Sequence, residues 1–546
     1  MNRYPLLVEI GCENMPSSDI DIIQASAVQN FSAILDKYRI GHTSVKVMTS
    51  VRRIAVKINR VNSHQEPVTE IKKGPPASVV LKDGKPTKAG LGFARSMGVA
   101  FDDLVKKETL KGEYFFCKKE IEPAAVRDII PDIVREFINS FEFPITMRWG
   151  GSAVWFPRPI RWLLVKFGQQ AVKFKLGNLS SGRSSRGHYI FADRKVYVDK
   201  IKDYVKLLKR NYVYADPDER MDCLQKAVRR PLKYTRGYPV EKSDLLQEIN
   251  NSVEFPTGVK GTFPEKYLTV PREIIEACLV YHQKYFPVED KEGNLMNYFV
   301  GVRDGISEYL ETIRKGYQKV LIARLDDAEF FLSKDREKKL ADYVENLEGV
   351  QFSRGLGTLR DKTDRLCKLA KYISGLLDKD KDFIDKAERA AYLAKADLAS
   401  HIVDEFPELE GTAGSIYAKL DGEDKDVALS VREHYFPANP GDSQPSIELA
   451  AVVGAADRMD TVCGNIGSGV EVSGSADPFG LRRALKGLIS IMASFNWDLD
   501  MAGIVVESLK IYKKQGIKLN KNDSAGITGF IKNQLENYLL ANFDYD

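Results

Sequence analysis

The spacing of apolar and polar positions changes character twice along the chain. In the first third, short apolar or alternating runs are interleaved with helical spacing. "PLLVEIG" (residues 5–11) is a largely apolar stretch of strand length, interrupted by Glu9, and predicts a buried strand. "SDIDIIQASAVQNFSAILDKY" (18–38) repeats its apolar residues at helical spacing behind Ser18 and Asp19, which predicts a capped helix. "SVKVMTS" and "RRIAVKINRV" alternate as strands do. "KKGPPASVVLKDGKPTKAG" (72–90) is turn-rich and basic, and predicts a loop or domain junction. A helix ("GLGFARSMG"), a hairpin ("LVKKETLKGEYFFCKKEI", 104–121) and another helix ("AAVRDIIPDIVREFINSF") follow. Further on come a strand, "AVKFKLGN" (171–178), and the loop "SSGRSSRGH" (180–188). From about residue 194, basic helices such as "DPDERMDCLQKAVRRPLKY" mix with runs such as "NYFVGVRD". Beyond about 335 the spacing is almost wholly helical to 510, and 524–541 adds a last helix. The expected fold is a multidomain α+β chain, mixed α/β modules followed by an all-helical domain. The expected boundaries are 1–70, 71–193, 194–334, 335–510 and 511–546.

One short run, "MRWGGSAVWFPRPIRWLL" (147–164), carries three of the four tryptophans and three arginines. Pro157 and Pro159 force extended backbone on Phe156 and Arg158. From Ile160 onward the run predicts a buried strand. Trp155, Phe156, Trp162 and Leu164 are therefore assigned to the core, and Arg148, Arg158 and Arg161 to RNA contact.

Composition narrows the class. At 546 residues the chain needs several cores, with 43% hydrophobic and 29% charged residues in the ordinary globular range. Its 81 basic and 76 acidic residues give +5, too balanced for a surface that binds nucleic acid all over, yet compatible with local basic faces. Six scattered cysteines without a C-x-x-C pair suggest reduced thiols. The N-terminus lacks the pattern of a signal peptide, and no apolar run approaches 20 residues. A cytoplasmic protein without a membrane segment is expected.

Candidate chemistry is sparse. No GxxxxGK[ST] phosphate loop occurs, and six histidines offer little general-base or metal capacity. The glycine- and serine-rich stretch Gly467–Asp477 lies between helices and is expected to be a loop. In "AYLAKADLASHIVDEF", Asp397, His401 and Asp404 would share one helix face at i, i+4, i+7. Asp457 and Asp460 end a later apolar helix. This layout matches an HD phosphohydrolase, in which metal activates water, with two gaps. Ala396–Asp397 stands where a His–Asp pair is needed, and no histidine lies between His282 and His401. The competing expectation is an HD-like helical shell in which Asp397 and Asp457 are cap or hydrogen-bond residues, with no metal and no catalytic residue in this chain. Several basic runs could neutralise phosphates beside stacking rings. They supply Arg183, Arg186 and His188 in the loop, Arg229 and Arg230 in "VRRPLKYTRGY", Lys284 in "QKYFPV", and Arg482 and Arg483 at a helix start.

A resemblance then orders these fragments. "LLVEIGCENMP", "SVRRIAV", "KKGPP", "MRWG", "FPRPIRW", "SSRGH", "QKYFPV", "RLDDAEFF", "LGTLRDKTDR", "AADRMDT" and "DPFGLRRA" occur in that order. Together they resemble the β subunit of bacterial heterotetrameric glycyl-tRNA synthetase. The resemblance implies an α2β2 complex that attaches glycine to tRNA-Gly, with ATP, Mg and the adenylate chemistry in the α subunit. This chain would bind and orient tRNA and would not form the adenylate alone. It also implies B3/B4-like and RNA-binding-like modules in the mixed part of the chain, with 71–193 a mixed α/β module with basic loops and 194–334 a B3/B4-like or RNA-binding module. It implies further that 335–510 is a degenerate HD domain, and that 511–546 begins a truncated anticodon-binding-like helical domain. Cys12 and Asn14 depart from the family's usual Thr and Glu. A metal-dependent phosphohydrolase and a scaffold for the α subunit are the alternatives.

Overall fold

The computed structural model describes residues 2–82, 85–109, 112–149, 154–439, 441–470, 472, 477, 479–519 and 524–542. The chain divides into two compact units. One comprises residues 1–260 and 300–313, the other 261–299 and 314–546.

The first unit is built on β1 (Arg3–Cys12), α1 (Ser17–Lys37), β2 (Val45–Ser50) and β3 (Arg53–Asn62). An inserted module follows, made of β4 (Val68–Pro76), α2 (Ala77–Val80), α3 (Lys88–Met97), β5 (Leu104–Thr109) and β6 (Gly112–Ile121). The chain then returns through α4 (Val126–Asn139), β7 (Ile160–Phe167) and β8 (Leu179–Gly182). β1 is central: Val8 pairs antiparallel with Val56 of β3 on one side and Val165 of β7 on the other. β2 lies beyond β3, and β8 runs parallel to β7.

Both faces of β1 are covered, which explains why apolar residues fall on both of its faces around Glu9. Leu6, Val8 and Ile10 face the helices α1 and α4, packing with Phe31 and Phe137. Leu7 faces the opposite layer with Tyr204 and Leu208. The strand expected from Ile160 runs as expected. "AVKFKLGN" shortens to Lys175–Leu176. α1 begins behind Pro16 with no side-chain cap; Asp19 sits buried in its first turn, so the Ser18/Asp19 cap is not formed.

Two expectations need correcting. The 1–70 and 71–193 stretches are not separate, because β7 completes the sheet of β1 and β3. Among its described residues, the 72–90 stretch expected to be a loop or domain junction is not one continuous loop. It carries the end of β4, all of α2 and the start of α3, because Gly74 lets the Phe93 ring close on the strand: a Cβ there would sit 2.4 Å from that ring.

The second unit is chiefly helical. It includes α5 (Leu359–Leu376), α6 (Lys381–Leu393), α7 (His401–Glu405), α8 (Thr412–Leu420) and α9 (Lys425–Glu433). After these come α10 (Glu448–Gly467), α11 (Leu481–Ser494), α12 (Met501–Lys514) and α13 (Ser524–Asn542). α10 is apolar nearly all round and buried along most of its length, as the central helix of a bundle must be. Residues 150–153 and most of 471–478, including the core of the expected Gly467–Asp477 loop, lie outside the described residues.

Candidate functional site

The helical unit holds the aspartates singled out from sequence, in an arrangement unlike the expected one. The helix expected to run through residues 392–406 is interrupted. Ser400 is extended (φ −89°, ψ 153°), and its hydroxyl accepts from the Val403 N–H as the cap of α7. Asp397, His401 and Asp404 therefore share no helix face. Asp397 is fully buried and accepts from the Gly411 and Gly414 N–H groups at 2.7 and 3.0 Å. Burial pushes its carboxyl up to about 7, against the pull of those two N–H groups. His401 instead meets the buried Asp335 carboxylate through Nδ1, 2.7 Å away.

Asp457 projects from α10 between two ammonium groups, Lys362 Nζ at 2.7 Å and Lys395 Nζ at 2.8 Å. Burial alone would raise its pKa. The two lysines outweigh burial and hold it well below the usual carboxylate range. Asp460, one turn on, pairs with Arg365 at 2.6 Å and Lys362 at 3.1 Å. Two lysines thus occupy the positive positions a divalent ion would take beside Asp457. Among the described residues, no group of three His, Cys, Asp or Glu is arranged to hold a metal. Nearby, Arg458 is spent on backbone, its guanidinium donating to the carbonyls of His434, Gly454, Tyr435, Phe436 and Pro437. An open cleft of about 500 Å³ lies against His434, Asp457 and Thr461, with Arg483 at its edge.

Sequence reasoning missed the polar centre of the first unit. Arg53 is 1% exposed and its guanidinium joins two fully buried carboxylates. Nε and Nη2 donate to Glu254 at 2.8 and 3.2 Å, and Nη1 lies 3.3 Å from Glu9. Burial would lower its pKa, and Glu254 and Glu9 together raise it above the ordinary value. Trp162 Nε1 donates to Glu9 at 2.8 Å, so this ring is a wall of the centre rather than plain core. Ser185 Oγ donates to Glu9 at 2.7 Å, which fastens the 180–188 loop to the sheet. The only sequence signal was a Glu inside an apolar strand, facing an Arg inside an alternating one.

That fastening sorts the RNA candidates. His188 is fully buried, with Nδ1 accepting the Ile190 N–H and Nε2 lying 3.2 Å from Asp304; it cannot meet a phosphate at the surface. Trp155 is corrected from core to surface. It is 55% exposed, with the Arg148 guanidinium 5.6 Å from its ring. Phe156 and Leu164 are core, as expected. Arg158 donates to the carbonyls of Asn14 and Pro157, a structural post. Arg161 is exposed and pairs with Glu13 at 3.1 Å. Arg186 pairs with Asp193 at 3.3 Å, and Arg183 with Asp199 at 3.1 Å. Arg161 and Arg186 converge on one cleft of about 200 Å³ walled by Trp149 and Asn178.

The remaining candidates are dispersed. Arg229 is clamped by Glu241 at 2.6 and 2.9 Å, and Arg230 is exposed beside it. Lys284 is half-buried in left-handed backbone at φ 55°. Arg482 and Arg483 open α11, whose first N–H groups are taken by the Asp477 carboxylate at 2.7 and 2.9 Å. No helix among the described residues is long and apolar enough to cross a membrane.

Comparison with known proteins accounts for nearly the whole chain. A sequence-family profile described as "Glycyl-tRNA synthetase beta subunit" matches residues 6–546. The glycine–tRNA ligase beta subunit of Moorella thermoacetica is 37% identical over 516 residues, 94% of this chain and 74% of that protein. That of Bacillus subtilis is 36% identical over 501 residues, 91% of this chain and 73% of its own. That of Syntrophomonas wolfei is 36% identical over 544 residues, 99% and 79%. The chain belongs to the glycyl-tRNA synthetase beta subunit family.

Proposed function

We propose that this chain is the tRNA-holding, non-adenylating subunit of a cytoplasmic glycine–tRNA ligase, acting with an α subunit in an α2β2 complex. ATP and Mg belong to the α subunit. This chain positions the acceptor end of tRNA-Gly against glycyl-adenylate formed there. Holding two reactants in register removes several kcal/mol of entropic barrier without a catalytic group on the holder.

The observation that carries the reading is the convergence of Arg161 and Arg186 on one cleft beside the Trp149 ring. Two guanidinium forks and a flat ring suit phosphate and an unpaired base together. In the helical unit, the Lys362–Asp457–Lys395 arrangement favours a retained HD-like shell over a metal-dependent hydrolase. The 335–510 region keeps its proposed HD-like character on that basis, and B3/B4-like and RNA-binding-like roles are proposed for the mixed modules before it.

Two measurements test this. The purified chain should show no glycine-dependent ATP–pyrophosphate exchange until α is added; robust exchange without α overturns the division of labour. Filter binding should show tRNA-Gly held with an affinity that falls steeply with salt. Absence of binding at low salt would favour a scaffold that only stabilises α.

A further inference from the structure

The inserted module between β3 and α4 has a second, uncovered side. Its ends close on each other: Val68 of β4 pairs with Ile121 of β6, and the Gln65 N–H donates to the Ala124 carbonyl at 3.0 Å. It has a small core of its own, made of Val80, Ala94, Leu104, Phe115 and Cys117. Side chains alternate across a strand, so the neighbours of Phe115 and Cys117 on β6 point to the other face. Those neighbours are Tyr114, Phe116 and Lys118. The register places Lys73 and Val105 on either side of Phe116, Ile71 beside Lys118, and Lys107 beside Tyr114.

This face is solvent-facing and chemically unusual. Ile71 is 56% exposed and Val105 45%, and Lys73, Lys107 and Lys118 are exposed. A sheet face meant only for water carries small polar and charged residues. Here two aromatic rings occupy the middle strand and lysines stand around them. The Lys73 ammonium rests 3.4 Å from the centre of the Tyr114 ring, where a planar cation or base would also sit. Residues 68–121 contain eleven Lys and Arg against seven Asp and Glu, a net charge of +4 in a chain whose total is +5. The module therefore carries most of the protein's charge imbalance in a tenth of its length.

We propose that this open sheet face, through Tyr114 and Phe116 with Lys73, Lys107 and Lys118, holds unpaired nucleotides of the bound tRNA. The proposal rests on the tRNA-binding reading above and adds a second contact to it. The two rings are two residues apart on one strand, about 7 Å. That is about twice the rise per nucleotide in a helical strand, so the bases they hold must be unstacked from each other. A duplex cannot offer that. An unpaired loop or end can, with its phosphates passing to the lysines. The surrounding lysines also give the face the charge complement of RNA.

The test uses the full chain and a tRNA-Gly transcript. Tyr114→Ala and Phe116→Ala should each weaken filter binding by about tenfold, while Tyr114→Phe should bind as the unaltered chain does. Lys107→Ala with Lys118→Ala should lessen the salt dependence of binding. Ultraviolet irradiation of the unaltered complex should cross-link tRNA to the peptide containing Tyr114 and Phe116, a readout independent of whether any variant folds. The proposal is overturned by unchanged binding in folded Tyr114→Ala and Phe116→Ala chains, or by a cross-link map that leaves this peptide bare. It is equally overturned if those variants weaken association with α while tRNA binding holds. Failure of the unaltered chain to bind tRNA-Gly at all would instead strike the underlying functional reading.

Discussion

Asp457 and Lys395 lie 2.8 Å apart, with Lys362 closing on the same carboxylate from the other side at 2.7 Å. The ammonium groups neutralise a carboxylate that a metal-dependent hydrolase would need for its ion. Asp457→Ala leaves both lysines buried with one carboxylate fewer between them. Breaking such a buried pair costs about 3–5 kcal/mol, so the variant should lose that much in urea or thermal unfolding. It should gain no hydrolytic activity. A variant that keeps full stability would mean that the pair carries no structural weight. Stoichiometric metal in the unaltered protein, with hydrolysis lost in Asp397→Ala, would revive the hydrolase reading.

Asp397 makes a distinct pH prediction. Its folded pKa, about 7, lies above the ordinary carboxylate value of 3.8. The folded state therefore holds a proton that the unfolded chain has already released. The stability from this group is full below about pH 4 and is lost as pH rises through 7. Asp457 acts in the opposite sense: its depressed pKa gives stability above the unfolded value that is lost as pH falls. Comparing Asp397→Asn with the parent isolates the first effect, because Asn cannot titrate and still offers an acceptor to Gly411 and Gly414. The variant should show a shallower fall in unfolding free energy between pH 4 and 7. An identical pH profile would show that the carboxyl is ionised throughout.

These residues also show where sequence reading reached its limit. β1 and β7 were legible because burial on both faces leaves mostly apolar stretches of strand length, and the 104–121 hairpin because its two strands follow closely in sequence and pair antiparallel. The 72–90 stretch was not. Its prolines and glycines suggest punctuation, yet Gly74 is small to admit Phe93 and Pro76 still pairs with Tyr114 across the ladder. The break at Ser400 was hidden because its apolar neighbours keep helical spacing while its hydroxyl caps the next turn. His188 looked like a loop residue free to meet phosphate; Asp304, distant in sequence, draws it inward, just as Glu9 holds Ser185 of the same loop. Trp155 had the same apolar character as Phe156, and alternation along extended backbone turned one outward and the other in.

The cleft of Arg161 and Arg186 gives the clearest functional variant. Their partners Glu13 and Asp193 are solvent-exposed, and pairs of this kind contribute about 0–1 kcal/mol. Arg161→Ala with Arg186→Ala should therefore fold normally. tRNA-Gly affinity should fall, and charging in the presence of α should slow. The slope of log affinity against log salt should shrink by about one for each phosphate left without its arginine. Arg158→Ala should behave otherwise. It loses the bond to the Asn14 carbonyl, about 1 kcal/mol of stability, and leaves the salt slope alone. If the double variant binds tRNA with the parent's salt slope, the cleft is not a phosphate site.

Arg53 offers the sharpest test of the first unit. One guanidinium serves Glu9 and Glu254, and the Ser185 hydroxyl and Trp162 ring N–H both donate to Glu9. Arg53→Met keeps the volume and removes the charge that bridges them. Two fully buried carboxylates would then face each other without a shared partner, a loss of about 3–5 kcal/mol or more. Removing one of the two unpaired carboxylates with Glu254→Gln in the same chain should recover part of that loss, because the coupled groups are non-additive. The consequence should reach RNA binding as well. Arg53 also donates to the Arg186 carbonyl at 3.1 Å, so its loss frees the 183–188 loop and misplaces the Arg186 side chain in its cleft. At a temperature where Arg53→Met is still folded, tRNA-Gly affinity should drop while the helical unit's unfolding transition is unmoved. Equal loss in both transitions would mean that Arg53 acts through global stability alone.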